Sequence, residues 1–578
     1  MTPILLSIVI PTRNRCDLLL ETLDALHRQS ADAMSFEIRV VADGCTDGTA
    51  HAVRALAGTP TWRGRTLVCV ERKWGGAAAA RNAGLQSASG AIVLFLDDDI
   101  MADKDLVAEH IARHAAAPST GTVVLGRLVS GAGRGTLHRQ LNRWWEDHYH
   151  HLVDRPPGFI DFFTGNVSVP RDAALAADGF DQDLDYAEDI ELGYRLAALG
   201  LPFVYAPEAC GHAHNLKSAR ALLRDLYRVG QGCVRIYHKL PATLPALPLA
   251  AYGETTLRLR LARGLLLRLA ENPVAARALD ECFALWARSD LAWGARQMFE
   301  LVRSYYFWRG VRSAVPDRAE WRRLTSPGVP ILLYHSVTRA GAAQGDLYTV
   351  TTRRFAQQLA LLKLLGYQVV PLDALVARWD AARLPSPRSV AITFDDGYRD
   401  NLDDAWPLLR RFAYPATIFV VSGMVGGRSV WDAGNVAGTR PLLDWEQLRR
   451  LDREGFRVAA HSVSHADLTV LDAEAVAGEI EGSRRDLEDR LGHSVELFAY
   501  PYGLVNGTLQ AQAAQAGYKA ALSVESGLNT LRTPRFVLRR IQMRGDDNLF
   551  MFLLKLWVGD DPLRRLSRWR RRPRGSAA

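Results

Sequence analysis

Several short apolar runs in this chain each end on a carboxylate or an imidazole, and helical stretches separate them. Phe36 to Ala42 ends at Asp43, and Ala91 to Leu96 ends at Asp97-Asp98-Asp99. Val329 to Tyr334 ends at His335, Ser389 to Phe394 at Asp395-Asp396, and Arg457 to Ala460 at His461. Such runs read as buried strands. Strands alternating with helices make α/β folds, whose ligands meet the C-terminal ends of the strands. At 578 residues the chain exceeds what one hydrophobic core can hold. The expected fold class is α/β: a doubly wound N-terminal domain, a helical middle segment and a C-terminal distorted (β/α) barrel.

In the N-terminal half, strands are expected over Leu5 to Ile10, Phe36 to Ala42, Arg65 to Val70 and Ala91 to Leu96. Helices are expected over Asp17 to Gln29, Asp47 to Ala57 and Gly75 to Ser87. Asp43 and Asp97 to Asp99 then stand beyond strand ends. One or two carboxylates there can hold a Mg²⁺ or Mn²⁺ ion against a pyrophosphate. Asp43 can accept hydrogen bonds from a base or ribose. The structural alternative for three aspartates is an acidic turn or helix start.

Five stretches resemble, in this order, the family 2 inverting glycosyltransferases. They are Ser7-Ile-Val-Ile-Pro-Thr-Arg-Asn14, Asp43-Gly-Cys-Thr-Asp-Gly48, Ala80-Arg-Asn-Ala-Gly84, Leu96-Asp-Asp-Asp99 and Tyr186-Ala-Glu-Asp-Ile-Glu-Leu-Gly-Tyr-Arg195. The resemblance implies a GT-A-like domain over 1–215 that uses a nucleotide sugar, with UDP-N-acetylglucosamine among the candidates. It implies that Pro11, Asp43, Arg81, Asp97, Asp98 and Glu188 surround nucleotide and substrate. It further implies that Asp97 and Asp99 form the metal–pyrophosphate motif, Asp99 ligating Mg²⁺ or Mn²⁺, and that Asp189 deprotonates the acceptor hydroxyl. His212 or His214 completes the metal shell in one reading and lies on the surface in the other. Phe163-Thr-Gly-Asn-Val-Ser168 resembles the segment on the acceptor side. A single sugar addition is expected, since the family's processive polymerases carry membrane spans and a Gln-x-x-Arg-Trp motif and neither is read here.

In the C-terminal half, His461-Ser-Val-Ser-His465 sets two imidazoles at i and i+4, where one face of a helical turn can present both to a metal. One carboxylate completes a three-ligand site open to water, and the second is free to act as base. Strands over Ala416 to Val421 and Glu496 to Ala499, with helices over Thr352 to Leu365 and Trp445 to Glu454, follow a barrel pattern with polar groups at strand ends. Thr393-Phe-Asp-Asp-Gly397, His461 to His465 and Tyr500-Pro-Tyr-Gly503 resemble the motifs of carbohydrate esterase family 4, the NodB-homology polysaccharide deacetylases. The resemblance implies a domain over 326–545 that removes N-acetyl groups. It implies Asp396, His461 and His465 as ligands of Zn²⁺ or a similar ion, Asp395 as base, and the Tyr502 backbone N–H at the oxyanion. The arginine that usually orients the base is missing from the third motif, where Ala499 stands near its place. No late histidine acid occurs in Leu538-Arg-Arg-Ile-Gln-Met543. Leu332-Leu-Tyr-His335-Ser-Val337 resembles a subfamily whose early histidine supplies the acid, which implies that His335 protonates the leaving amine; a buried structural histidine is the alternative.

Residues 216–325 read as a helical appendage and linker, and 546–578 as a C-terminal helix and basic tail. The apolar faces of this segment read as core; the alternative is a basic amphipathic surface, including Arg258, Arg260, Arg263 and Arg268, that seats the chain on a membrane. A net charge of +8 allows an anionic partner; the basic stretch Arg564 to Arg574 reads as a solvated tail or, in the sharper reading, as a handle for anionic phospholipid headgroups. No recognition motif for nucleic acid accompanies the charge, and nucleic acid is not expected. The six cysteines form no CxxC pair, which favours a reducing compartment. Met1 to Ile10 reads as a strand rather than a signal peptide. The expected place is cytoplasmic, in the extended form peripheral at the inner membrane face. The expected function is bifunctional, in cell-envelope polysaccharide biosynthesis: sugar transfer to a glycan or lipid-linked acceptor, and metal-dependent deacetylation of an amino sugar. Two alternatives stay open: one domain as a carbohydrate-binding module, or the whole chain as a membrane-surface scaffold.

Overall fold

The computed structural model describes residues 4–118, 121–131, 133, 135–214, 217–339, 346–435 and 438–560. The basic stretch Arg564 to Arg574 lies outside them. The chain forms two compact units, 1–243 with 258–315, and 244–257 with 316–578.

The first unit is built on eight strands: β1 (Leu6–Thr12), β2 (Phe36–Asp43), β3 (Thr66–Arg72), β4 (Ile92–Leu96), β5 (Ile100–Ala102), β6 (Val123–Ser130), β7 (Asn166–Pro170) and β8 (Phe203–Ala213). Their order is β3-β2-β1-β4-β7-β6-β8-β5. The pairs β3–β2, β2–β1 and β1–β4 are parallel, and β7 runs antiparallel between β4 and β6. Successive strand residues face opposite sides. Leu6, Ile8 and Ile10 therefore join one apolar core, and Val9, Val41 and Phe95 join another. The doubly wound order puts the ends of β2 and β4, with Asp43 and Asp97, on one edge.

Helices Ala219–Lys239 and Ala295–Ala314 cross in this unit at two glycines. A Cβ at Gly230 would stand 2.1 Å from the Phe307 carbonyl oxygen, and one at Gly310 would stand 1.9 Å from that of Tyr227. The backbones touch there, and any side chain would force them apart. The first of these helices also lays Gly232 against the carbonyl of Tyr186, just ahead of Glu188 and Asp189.

The second unit holds β9 (Ile331–Tyr334), β10 (Ser336–Thr338), β11 (Thr349–Thr351), β12 (Gln368–Val369), β13 (Ser389–Phe394), β14 (Ala416–Val420), β15 (Phe456–Ala460), β16 (Leu497–Ala499), β17 (Ala520–Leu522) and β18 (Ile541–Gln542). A parallel half-barrel runs β17-β16-β15-β14-β13-β9-β18, with β12 beside β13. β13 is buried at all six positions, as an apolar run between two parallel neighbours must be. Parallel pairing brings the C-terminal ends of β9, β13, β15 and β16 together.

Gly310→Ala is expected to lower the unfolding free energy of the first unit by about 1–3 kcal/mol through overpacking. An unchanged urea midpoint, measured on the full chain, would show that the crossing tolerates a methyl group.

Candidate active sites

In the first unit, the carboxylates at the strand ends are held by arginines and backbone amides. Asp43 accepts from Arg72 at 2.9 Å, from the Gly75 amide at 3.0 Å and from the Gly76 amide at 2.9 Å. It thereby shapes the turn that opens helix Ala77–Ser87. Asp98 is buried; its Oδ2 accepts from Thr12 at 2.7 Å, and Arg15 joins it to Asp99 at 2.5 and 2.9 Å. Burial raises Asp98 to about 6, and Asp99 and Asp97 add to the rise. Burial and the Asp97 charge push Asp99 up as well.

Arg81, on helix Ala77–Ser87, is buried and serves two carboxylates. It donates to Glu188 at 2.8 Å and to Asp97 at 3.1 Å. Glu188 and Asp189 open helix Glu188–Ala198, after Ala187 in the left-handed region at φ 64°. Burial, then the neighbouring Glu188 charge, push Asp189 up to about 7. A cavity of about 520 Å³ adjoins Glu188, lined also by Trp74, Gly75, Gly76, Arg228 and Arg235. Gly165 is tight against Asp97, its notional Cβ 3.4 Å from Oδ2, so the segment Phe163 to Ser168 reaches this site. The cluster suits a cation of the Mg²⁺ or Mn²⁺ type: its acids raise one another's proton affinity, and Asp97 remains partly exposed.

The β5–β8 register sets Ile100 opposite Ala213. The His214 amide donates to the Asp99 carbonyl at 2.8 Å, and its imidazole lies 3.4 Å from Glu21. His212 instead joins Asp103 at 3.1 Å, in a cluster with Cys210. His148 stacks on Trp144 and meets Phe163, whereas His150 and His151 are exposed. The letters of the Gln-x-x-Arg-Trp motif do occur, as Gln140-Leu-Asn-Arg143-Trp144 on helix Thr136–Asp154. The expectation of a single sugar addition therefore loses that support. Among the described residues no helix is long and apolar enough to cross a membrane.

In the second unit, Asp396, His461 and His465 converge. Asp396 Oδ1 lies 3.6 Å from His461 Nε2 and 3.3 Å from His465 Nε2, and all three residues are buried. His461 Nδ1 lies 2.7 Å from the Ala499 carbonyl. A proton on Nδ1 satisfies that contact and leaves the Nε2 lone pair facing inward. Burial lowers His461 to about 4, so its imidazole is neutral. One carboxylate and two imidazoles fit a Zn²⁺-type ion. Burial would raise Asp396, but the hydrogen bond from His465 and the neighbouring imidazoles of His335, His465 and His461 bring it well below the usual carboxylate range.

The histidine pair does not ride on a helical turn, as its spacing had suggested. It stands in an irregular loop that bends at Ser462, φ 63°, and His465, φ 64°. Asp396 and Tyr502 are also left-handed, at φ 75° and 58°. Tyr502 packs edge-on to His465 and Trp431 stacks on it, with ring centres at 4.6 and 4.4 Å. His335 follows β9 directly; its ring meets Tyr348, and its buried Nδ1 has no hydrogen-bond partner.

Sequence reasoning missed Arg540. Its two terminal nitrogens donate to the two oxygens of Asp395 at 2.6 and 2.7 Å, and its Nε donates to the Ser523 carbonyl at 2.9 Å. Burial raises Asp395, but Arg540 and then His461 outweigh it, and the carboxyl sits below its ordinary range. The arginine absent near Ala499 is thus supplied from Leu538-Arg-Arg-Ile-Gln-Met543. An Arg pair inside an otherwise apolar, strand-like run was the available signal. Arg263 is a second correction: it is buried, donates to Ser304 at 2.9 Å and stacks on Trp308, so it is not part of a basic surface.

Residues 7–174 match the model of glycosyl transferase family 2, and residues 383–521 that of polysaccharide deacetylase. Glu188, Asp189, His335 and Arg540 lie beyond these stretches. A validoxylamine A glucosyltransferase of Streptomyces hygroscopicus subsp. jinggangensis is 33% identical over 272 residues, covering 42% of this chain and 63% of that protein. The match thus spans less than two thirds of the glucosyltransferase. A candidate polysaccharide deacetylase of Bacillus subtilis is 26% identical over 234 residues, 40% of this chain and 78% of that one. A poly-β-1,6-N-acetyl-D-glucosamine N-deacetylase of Staphylococcus aureus is 24% identical over 221 residues, 37% of this chain and 73% of that one. The chain joins a family 2 glycosyltransferase domain to a polysaccharide deacetylase domain.

Proposed function

We propose that the chain is a bifunctional enzyme. The first domain, placed at 1–215, transfers a sugar from a nucleotide-sugar donor, UDP-N-acetylglucosamine foremost, to a glycan or lipid-linked acceptor. The second, placed at 326–545, hydrolyses the N-acetyl amide of an amino sugar. The observation that supports this reading is that each unit gathers a set of ionisable side chains beside its strand ends. One set is Asp97, Asp99, Arg81 and Asp189; the other is Asp395, Arg540, Asp396, His461, His465 and His335. The N-deacetylase relative supports an amino-sugar substrate.

In transfer, Asp189 accepts the proton of the acceptor hydroxyl as its oxygen attacks the anomeric carbon. Attack opposite the departing diphosphate inverts the configuration. Its raised proton affinity matches it to work near neutral pH. Asp43 orders the Gly75–Gly76 turn beside the cavity, and Arg81 holds Glu188 and Asp97 in place. A Mg²⁺ or Mn²⁺ ion on Asp99 and Asp97 would supply positive charge for the diphosphate.

In deacetylation, Asp395 takes a proton from the water that attacks the amide carbonyl. Arg540 keeps that carboxylate ionised and aimed. His335 gives a proton to the leaving amine nitrogen, and the Tyr502 backbone N–H faces the oxyanion. A Zn²⁺-type ion on Asp396, His461 and His465 would supply Lewis acidity.

A proton NMR time course on the full chain, with UDP-N-acetylglucosamine, Mn²⁺, Zn²⁺ and a bacterial lipid extract, tests the reading. Acetate appearing after UDP supports action on one product. Acetate without UDP would separate the two activities, and the absence of both would overturn this donor and acceptor.

The proton affinity of Asp189 sets the pH dependence. A raised carboxyl loses its base form as pH falls, so the rate of transfer is expected to drop below about pH 7. Asp189→Asn is expected to cost about 10²–10⁴-fold and to abolish this limb; a retained limb would assign it elsewhere. Arg540→Met leaves the Asp395 charge buried and unpaired, with an expected loss of about 3–5 kcal/mol of stability. Adding Asp395→Asn should restore much of that stability but no deacetylation. Recovery of acetate release by the double variant would remove Asp395 as the base.

A further inference from the structure

The helix Leu257–Leu269 reads Leu-Arg-Leu-Arg-Leu-Ala-Arg-Gly-Leu-Leu-Leu-Arg-Leu, without one carboxylate. It packs through Arg263 and Leu267, which are buried. Leucines at every fourth position stay in water: Leu257 is 46% exposed, Leu261 65%, Leu265 60% and Leu269 45%. Residues i and i+4 lie one above the other on a helix, so the four form a continuous stripe. Arg258 and Arg268, both exposed, stand within its sector. A contiguous apolar stripe of this kind marks a contact surface rather than scattered exposure.

The charges name the occupant. A second copy of this helix laid on the first would set arginine against arginine. A bilayer surface takes leucine into its acyl boundary, and its anionic headgroups meet arginines that extend outward from the same face. The second unit has a face of similar chemistry on helix Leu549–Val558, where Leu549, Phe550 and Trp557 are exposed. The sequence after it holds seven arginines between positions 564 and 574, outside the described residues.

We propose that the leucine stripe of helix Leu257–Leu269 seats this chain on a bilayer surface rich in anionic phospholipid. The contact needs neither donor nor acceptor, so it stands apart from the sugar-transfer reading. The test is co-sedimentation of the full chain with vesicles of phosphatidylcholine alone and of phosphatidylcholine with phosphatidylglycerol. The wild type is expected to pellet with the anionic vesicles only, and less at high salt. Leu261→Ser with Leu265→Ser, both solvent-facing, should lower partitioning on the order of tenfold at an unchanged far-UV circular dichroism melting curve. Arg258→Glu with Arg268→Glu should lower it too. No pelleting with anionic vesicles, equal pelleting with neutral ones, or undiminished binding by the leucine variant would overturn the proposal. A wild-type dimer that the leucine variant renders monomeric, with no vesicle binding, would give the stripe to a second copy and overturn it as well.

Discussion

A carboxylate out of water keeps its charge only where an opposite charge or several donors face it, and both candidate sites are organised by that requirement. Asp395 is fully enclosed yet ionised, because Arg540 meets both of its oxygens. Among the described residues no guanidinium bonds Asp189 in this way; it shares its helix start with Glu188 and holds its proton to near neutrality. The same residue type thus becomes a fixed anion in one unit and a titrating group in the other. Neighbours decide which. Planar guanidinium groups suit this task, since one fork can fill two acceptor sites at defined angles.

Much of this was legible in the chain itself. Runs of β-branched and aromatic residues marked β1, β2, β4 and β13 to within a residue or two, since strands covered on both faces must be apolar throughout. Their polar final residues then located the edge of each sheet, with Asp43 and Asp97 in the first unit and Asp395 and His461 in the second. What escaped was long-range. Arg540 and Asp395 are 145 positions apart, and no local pattern links them. The histidine spacing pointed to a helical turn because four residues span one, but a loop with two left-handed bends closes the same distance. The helix around Arg263 is apolar or basic on every side, so periodicity could not say which face turns inward. Arg263 went in and leucines stayed out.

Backbone strain collects around one of the candidate sites. Among the described residues ten besides glycine have positive φ, and Asp396, Ser462, His465 and Tyr502 are four of them, all around one pocket. Each such residue costs of order 1–3 kcal/mol unless packing over-determines it. The parallel half-barrel beneath, with Phe394, Val420, Ala460 and Phe498 buried, is the packed body that holds those bends. A soft scaffold would relax them and separate Asp396, His461 and His465. Ala187, left-handed just before Glu188, is the counterpart in the first unit.

Arg81 has a wider effect than its two contacts suggest. One guanidinium is divided between Asp97, on the side of the strand ends, and Glu188, on the side of Asp189. Whatever neutralises Asp97 leaves Arg81 to Glu188 alone, and the field at Asp189 changes with it. The charge state of Asp97 and the proton affinity of Asp189 are therefore thermodynamically linked, and linkage is reciprocal. The arginine acts as a lever between two groups of carboxylates, so that charge placed at one resets the proton affinity of the other.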